Sequence, residues 1–381
     1  MTHKPPKIVH IIIGLNVGGA ELMLKRLVLN SQAKGKFKHE VISLTDLGVI
    51  GQDLKQAEIP VHALGMKSVF TLPIVFLRLQ KLIKQISPVA VQTWMYHADF
   101  LGGLAAKKVG IKNIIWGIRT TDVAQGASRL TVALRNLCAK LSGRIPTKII
   151  CAAHAAKDLH EKIGYDGTKM VVIPNGFELG KLTATEEDRK LLRKELDLLD
   201  IDIVIGSVGR FNEVKNQKLF VEIAADLIKK NPHLKFMMVG RDNDENNQIL
   251  MGWLQEYNLL NSFRLLGQRS DIPKCLKVFD IFCLHSKTEG FPNVLVEALA
   301  IGLPCVSTDV GDAKHIMKDL GLISPSNDAK NLAETLEKVI ENYLNQSVEE
   351  KNIFKIKARN HIEQNYSIDN LCVLYSDIWG K

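Results

Sequence analysis

Long apolar runs are missing from this 381-residue chain. Ile11-Ile12-Ile13 gives way at once to Gly14-Leu15-Asn16, and such runs fall far short of the ~20 apolar residues that cross a bilayer. Lys4 and Lys7 ahead of Val9–Ile13 faintly suggest a signal peptide. That apolar core is too short and residues 14–21 lack a small-residue cleavage pattern, so a cytoplasmic start is expected. The six cysteines contain no CxxC pair and no metal-ligand spacing; Cys151, Cys283 and Cys305 sit in apolar runs, as buried thiols do. Aromatic residues make up only 6% and never interleave with a basic stretch, which speaks against a nucleic-acid reader. With 46% apolar and 24% charged residues and only 27 glycines, the chain is neither disordered nor collagen-like.

Acidic residues are absent between Asp122 and Asp158, where Arg129, Arg135, Lys140, Arg144, Lys148 and Lys157 fall. Residues 1–180 are net +13 and the remainder −4, giving +9 overall. A basic half joined to a mildly acidic half points to one domain facing a polyanion or an anionic membrane. Ser68–Ile86 sets Phe70, Leu72, Ile74, Phe76, Leu77, Leu79, Leu82 and Ile83 beside Arg78, Lys81 and Lys84. In Ser128–Lys148, Leu130, Leu134, Leu137 and Leu141 alternate with Arg129, Arg135, Lys140 and Arg144. Such stripes suit a bilayer headgroup region, or they pack on the first domain's own sheet.

At about 150 residues per domain the length predicts two domains or three small ones. β-branched runs alternate with helical patterns, as in parallel βαβ units. Strands are expected at Lys7–Ile13, His39–Leu44, Val89–Thr93, Asn113–Ile118, Lys148–Ala152 and Met170–Ile173, with a helix at Ala20–Gln32. The pattern restarts at Ile201–Val208 and continues at Leu234–Val239, Phe263–Leu266, Ile281–Leu284 and Pro304–Ser307. A charged helical joint runs from Pro174 to about Asp200. The expected fold is α/β: two doubly wound Rossmann-like domains facing a cleft, 1–175 and 176–360, with 361–381 returning as a helix to the first. Ligands of such sheets lie outside the carboxyl ends of the strands.

Three of those loops carry chemistry. The first strand runs into Gly14-Leu15-Asn16-Val17-Gly18-Gly19-Ala20-Glu21, where the glycine pair is either a tight turn or a seat for an anion at a helix N-terminus. It is neither GxGxxG nor a Walker loop. Arg210 and Lys215 leave one strand end five residues apart; they are two solvated charges or the two sides of a diphosphate clamp. Glu289 sits in a Gly-Pro loop and Glu297 in an apolar helix, where inward carboxylates suit sugar and ribose hydroxyls. Asp242-Asn243-Asp244 imitates a metal-binding DxD, but reads as a solvated loop because two cations already serve the diphosphate.

Together these pieces resemble the retaining, nucleotide-sugar-dependent family 4 glycosyltransferases of the GT-B fold. The ordered set carries the likeness through nearly the whole chain: "GLNVGGAE", "TWMYHAD", "IPNGF", "VGRFNEVKNQ", "LLGQRSDIP" and "EGFPNVLVEALAIGLPCVSTDVGD". The resemblance implies that Gly18 and Gly19 contact donor phosphate or acceptor, and that Arg210 and Lys215 hold the diphosphate. It further implies that Glu289 meets the donor sugar, Glu297 the ribose, and His97 the active site from the first domain. Gly290, Phe291 and Pro292 would support sugar and phosphate, Asn293 and Val294 would face the diphosphate, and Gln268 and Arg269 would lie along the base. Two departures stand out: His315 occupies the place of an acid after Asp309-Val310-Gly311-Asp312, and "NGFE" replaces the commoner NG-aliphatic-D.

The resemblance implies a transferase that moves a UDP-linked hexose or N-acetylhexosamine to a lipid-linked glycan of a bacterial surface polysaccharide. No metal or other cofactor is expected. Retention implies attack on the leaving group's own face, with the departing phosphate as proton acceptor, so no protein nucleophile is required. The expected location is the inner face of the plasma membrane, with the basic domain on the anionic surface. Two other classes remain: a GT-B-like UDP-sugar epimerase, which needs first-domain carboxylates near the sugar whereas Asp99 is the only acid in the motif after Val89–Thr93, and a non-enzymatic polyanion binder, which leaves the donor loops unexplained.

Overall fold

A computed structural model describes residues 5–121 and 128–380. Lys4, and residues 122–127 at the head of the acid-free stretch, lie outside the described residues. The chain divides into unit 1, Met1–Glu178 with Tyr366–Lys381, and unit 2, Leu179–Asn365. These divisions fall a few residues beyond the boundaries placed at 175 and 360.

Unit 1 runs β1 (Lys7–Ile12), α1 (Gly19–Ala33), β2 (Lys38–Ser43), α2 (Gly48–Gln56), β3 (Val61–Ala63), α3 (Leu72–Ile86), β4 (Ala90–Trp94), α4 (Met95–Lys108), β5 (Asn113–Ile118), α5 (Arg129–Ser142), β6 (Lys148–Cys151), α6 (His154–Ile163) and β7 (Met170–Val172). Unit 2 runs α7 (Glu186–Glu195), β8 (Ile203–Val208), α8 (Gln217–Lys230), β9 (Leu234–Val239), α9 (Gln248–Glu256), β10 (Phe263–Leu265), α10 (Ile272–Val278), β11 (Ile281–Leu284), α11 (Asn293–Ile301), β12 (Cys305–Thr308), α12 (Ala313–Met317), β13 (Gly321–Ser324), α13 (Ala329–Asn345) and α14 (Val348–Tyr366). The chain then re-enters unit 1 as α15 (Ile368–Trp379).

Both sheets are parallel, in the orders β3-β2-β1-β4-β5-β6-β7 and β10-β9-β8-β11-β12-β13. Each is doubly wound: the chain moves outward from β1 and from β8, then returns to the centre and leaves the other way from β4 and from β11. The switch points therefore lie between β1 and β4 and between β8 and β11. All six residues of β8 are buried, as expected of a parallel strand covered on both faces. The strand expected from Ile201 starts at Ile203, because Ile201 is 60% exposed. The edge strands β3 and β13 are three and four residues long and only partly buried. Neither carries the continuous apolar run seen in a strand such as β8.

Two cores result. In unit 1, Ile8, Ile12 and Trp94 pack with Leu371, Tyr375 and Trp379 of α15; the Trp379 indole donates to Gln92 Oε1 at 2.8 Å. In unit 2, Phe220, Phe236 and Phe263 form the aromatic centre. All six cysteines are buried and unpaired. The two cationic stripes divide by side. On α3, Leu79 and Ile83 are buried while Ile74 and Leu77 are 56% and 64% exposed, and Phe70, in the turn just before the helix, is 89% exposed. On α5, Leu130 and Leu137 are exposed, but Arg135 is buried and its guanidinium donates to Asn136 Oδ1. Arg135 is therefore not part of a solvated cationic face, contrary to the sequence expectation.

Candidate active site

In unit 2 the chemistry-bearing side chains converge on the switch point between β8 and β11. After β8, Gly209 and Arg210 lead into the tight turn Glu213–Lys215, which Asn212 caps by accepting from Val214 N–H at 3.0 Å. After β11, His285 to Glu289 run toward α11. The two loops are tied by Lys287 N–H donating to the Val214 carbonyl at 2.8 Å. Across this join Lys215 Nζ meets Glu289 Oε1 at 2.6 Å, and Ser286 Oγ donates to the same oxygen at 2.6 Å. Arg210 is exposed and has no ion pair among the described residues, while its carbonyl is held by Gln217 Nε2 at 2.9 Å.

Sequence reasoning missed the residues that hold this arrangement. His285 is buried, stacked on Phe220 with ring centroids 4.6 Å apart, and placed between Lys215 O and Ser207 Oγ, both at 2.7 Å. Its Nδ1 must donate to the carbonyl, so Nε2 accepts from the Ser207 hydroxyl. Burial lowers its pKa to about 4, so the ring is neutral and acts as a brace for the Lys215 backbone. A histidine directly after a buried strand was the available signal. Gly240, at φ +137, would place a Cβ 2.2 Å from Gly209 O, and Gly311, at φ +50, would place one 2.2 Å from Gly290 O. Only glycine permits those approaches. Asp312 N–H donates to Gly290 O at 3.1 Å, which docks the β12 loop on the β11 loop.

Gly290 to Pro292 lead into α11, whose first residues are Asn293 and Val294 and whose second turn carries Glu297. The positive end of α11 thus follows directly on the Lys215–Glu289 join. Gln268 and Arg269 follow the edge strand β10, two strands away from β8. Gln268 is exposed, whereas Arg269 is held bidentately by Asp271 at 2.8 and 2.7 Å. Asn243 donates through Nδ2 to Gly209 O, and Asp244 Oδ1 accepts from Asn246 N–H, so part of that acidic loop buttresses its own turn. Among the described residues no group of His, Cys, Asp and Glu is arranged to hold a metal ion.

In unit 1 the corresponding switch point is flanked by Gly18 and Gly19 after β1 and by His97 after β4. Gly18 caps α1, and a Cβ there would stand 2.4 Å from Glu21 Oε2; Gly19 has open space around it. The Glu21 carboxylate therefore covers the Gly18 side of the turn, and burial raises its pKa. β4 passes into α4 through Met95 at φ +71, an uncommon conformation for a side-chain-bearing residue. His97 lies in that first turn, half-buried, with a pKa lowered by burial. Behind it Asp99 is fully buried: its Oδ1 lies 2.5 Å from Thr93 Oγ1 and 3.3 Å from Gly117 N, and its Oδ2 has no partner.

Two doubly wound sheets, with a Lys–Glu–Arg set on one switch point and a glycine turn and histidine on the other, define a glycosyltransferase of the GT-B fold. The chain matches the family described as Glycosyltransferase Family 4 over residues 17–181 and that described as Glycosyl transferases group 1 over residues 188–361. It is 28% identical, over 79% of its length and 78% of the relative's, to UDP-Gal:alpha-D-GlcNAc-diphosphoundecaprenol alpha-1,3-galactosyltransferase of Escherichia coli. It is also 28% identical, over 70% and 71%, to N,N'-diacetylbacillosaminyl-diphospho-undecaprenol alpha-1,3-N-acetylgalactosaminyltransferase of Campylobacter jejuni. Among solved structures, Anabaena Alr3699/HepE in complex with UDP superposes with a TM-score of 0.84 at 19% identity, covering 98% of this chain and 99% of that one. This chain belongs to the family 4 glycosyltransferases.

Proposed function

We propose that the enzyme transfers a hexose or N-acetylhexosamine from a UDP-sugar to a lipid-linked glycan during surface-polysaccharide synthesis, with retention and without a metal ion. The carrying observation is the 2.6 Å Lys215–Glu289 pair at the β8/β11 switch point. In this reading the diphosphate takes the Lys215 ammonium and the Arg210 guanidinium, and α11's first-turn amides face its oxygens. Glu289, released from Lys215, then accepts donor-sugar hydroxyls, and Glu297 accepts those of the ribose. Fixed cations meet the charge that develops on the leaving oxygen, which leaves no task for a divalent ion. The Glu21 carboxylate over Gly18 supports an acceptor hydroxyl rather than a phosphate at the unit 1 turn, and neutral His97 lends its ring or backbone to the sugar. The diphosphoundecaprenol named for the two bacterial relatives supports a lipid-linked acceptor.

Transfer from UDP-sugars to a synthetic lipid-diphosphate sugar tests this reading. Lys215→Ala should lower kcat about 10²–10³-fold, as loss of one charge-stabilising donor does, and Glu289→Ala should abolish transfer with the fold intact. Both losses should occur equally with and without a chelator. Near-normal turnover of either variant, or a strict requirement for Mg²⁺ or Mn²⁺, would overturn the donor-site assignment.

A membrane contact by unit 1 is part of the same proposal. Ile74, Leu77, Lys81 and Lys84 recur at three- and four-residue spacing on the outer side of α3, with Phe70 exposed just before it; on α5 Leu130, Leu137 and Lys140 are exposed, with Arg144 just after the helix. No helix among the described residues is long and apolar enough to cross a membrane. Insertion of such faces at headgroup depth, with about 1 kcal/mol per basic residue from an anionic surface, holds a protein there reversibly.

A further inference from the structure

We propose that unit 2 carries a second ligand site, for a small organic phosphate, at the amino ends of its strands and thus at the opposite end of the sheet from the Lys215–Glu289 loops. A cavity of ≈ 290 Å³ opens there, between the start of β12, the start of β13 and α14. Phe279, Leu303 and Phe354 supply apolar walls.

The charges around this cavity do not cancel. Four cations and three carboxylates line it. Lys277 is paired with Glu186 at 2.7 Å. Arg189 is consumed by Asp280 at 2.8 Å and by the carbonyls of Lys277, Val278 and Phe279, whose helix end it caps. Asp319 is taken by Lys357, outside the lining. Among the described residues Lys351 and Lys355 have no carboxylate within ion-pair distance, Glu186 and Asp280 acting on Lys355 only from farther off. The two lysines stand four apart on α14, which puts both on one helix face. The Lys351 ammonium rests 3.8 Å above the Tyr343 ring, and that ring is fixed by its hydroxyl donating to Asp280 Oδ1 at 2.7 Å. The Lys355 stem is pressed on Gly302, where a Cβ would lie 2.8 Å from Lys355 Cβ. Burial, then the neighbouring Lys277 and Arg189, pull the Lys355 pKa down against the opposing pull of Glu186 and Asp280.

Two lysines one helical turn apart suit the several oxygens of a phosphate dianion better than a lone carboxylate. The apolar walls below them suit a flat or aliphatic body attached to it. No bond is made or broken at this site, which is one of binding alone.

Calorimetric titration of the full-length protein with phenyl phosphate, inorganic phosphate, benzyl alcohol and UDP tests the proposal. Phenyl phosphate should bind more tightly than inorganic phosphate or benzyl alcohol, and should still bind with UDP present in saturating amount. The double variant Lys351→Gln/Lys355→Gln should weaken phenyl phosphate at least tenfold and leave UDP affinity unchanged. Lys215→Ala should do the reverse. Displacement of phenyl phosphate by UDP, equal affinity in the double variant, or failure to bind at millimolar concentration would each overturn the proposal.

Discussion

Asp99 offers a perturbation whose size follows from its surroundings. It is fully buried, and its pKa is raised to about 8, chiefly by burial, against the opposing hydrogen bonds from Thr93 and Gly117. At pH 7 the folded protein therefore holds Asp99 as the neutral acid, whereas the unfolded chain ionises it near pH 3.8. A folded pKa raised above the unfolded one gives stability that is full below about pH 4 and falls as pH rises toward 8. At 1.36 kcal/mol per unit, protonating this side chain costs folding about 4 kcal/mol at pH 7. Asp99→Asn removes that cost, but leaves amide hydrogens where Oδ2 has no partner, a penalty of about 1–3 kcal/mol. The variant should be more stable than the wild type by about 1–3 kcal/mol at pH 7, with the gain shrinking to near zero at pH 5. Urea unfolding followed by tryptophan fluorescence suits the measurement, because Trp94, Trp116 and Trp379 lie in unit 1 and only Trp253 in unit 2. A stability difference that stays constant from pH 5 to pH 8 would refute the reasoning, since Asp99 would then be ionised in both states.

Three other outcomes follow from the same structure. Trp94 Nε1–H donates to His10 Nδ1 at 3.3 Å, which directs His10 Nε2–H to His39 Nδ1 and His39 Nε2–H to Ser31 Oγ, so both rings are neutral. Burial lowers His39 to about 4 and His10 well below its usual value, so stability complete above pH 6.5 is lost as pH falls toward 4. Asp99 opposes the histidines over that window, so unit 1 should lose stability more steeply in Asp99→Asn than in the wild type, by about 1.4 kcal/mol per pH unit. Gly311→Ala should abolish the UDP-induced rise in melting temperature, because the added methyl meets Gly290 O at 2.2 Å and drives the β11 and β12 loops apart; unchanged UDP binding would refute that role. Anionic liposomes should pellet the wild type at low salt and release it as screening rises, with Arg129→Gln/Lys140→Gln/Arg144→Gln pelleting less; equal pelleting would exclude the α5 face.

The sequence determined the layers, because burial on both faces of a parallel sheet demands continuous apolar strands. "IVIGSV", "FMMV" and "IIC" could not be read otherwise. It also placed Gly18, His97, Arg210, Lys215 and Glu289 at strand carboxyl ends, since each directly follows such a run. Two of the four edges, β7 and β10, were legible, but β3 and β13 were not: they are short and partly exposed and carry no apolar signature. Pairing was decided only in three dimensions. Which strands adjoin depends on sheet order, and β8 beside β11 is what puts Lys215 within 2.6 Å of a carboxylate 74 residues away. The same holds for His285 behind Lys215, and for the loop approaches that reserve residues 240 and 311 for glycine. Arg135 shows the limit from the other side. Its charge suggested a solvated face, but helical phase and the packing of α5 turned it inward, and no local pattern in the sequence records that choice.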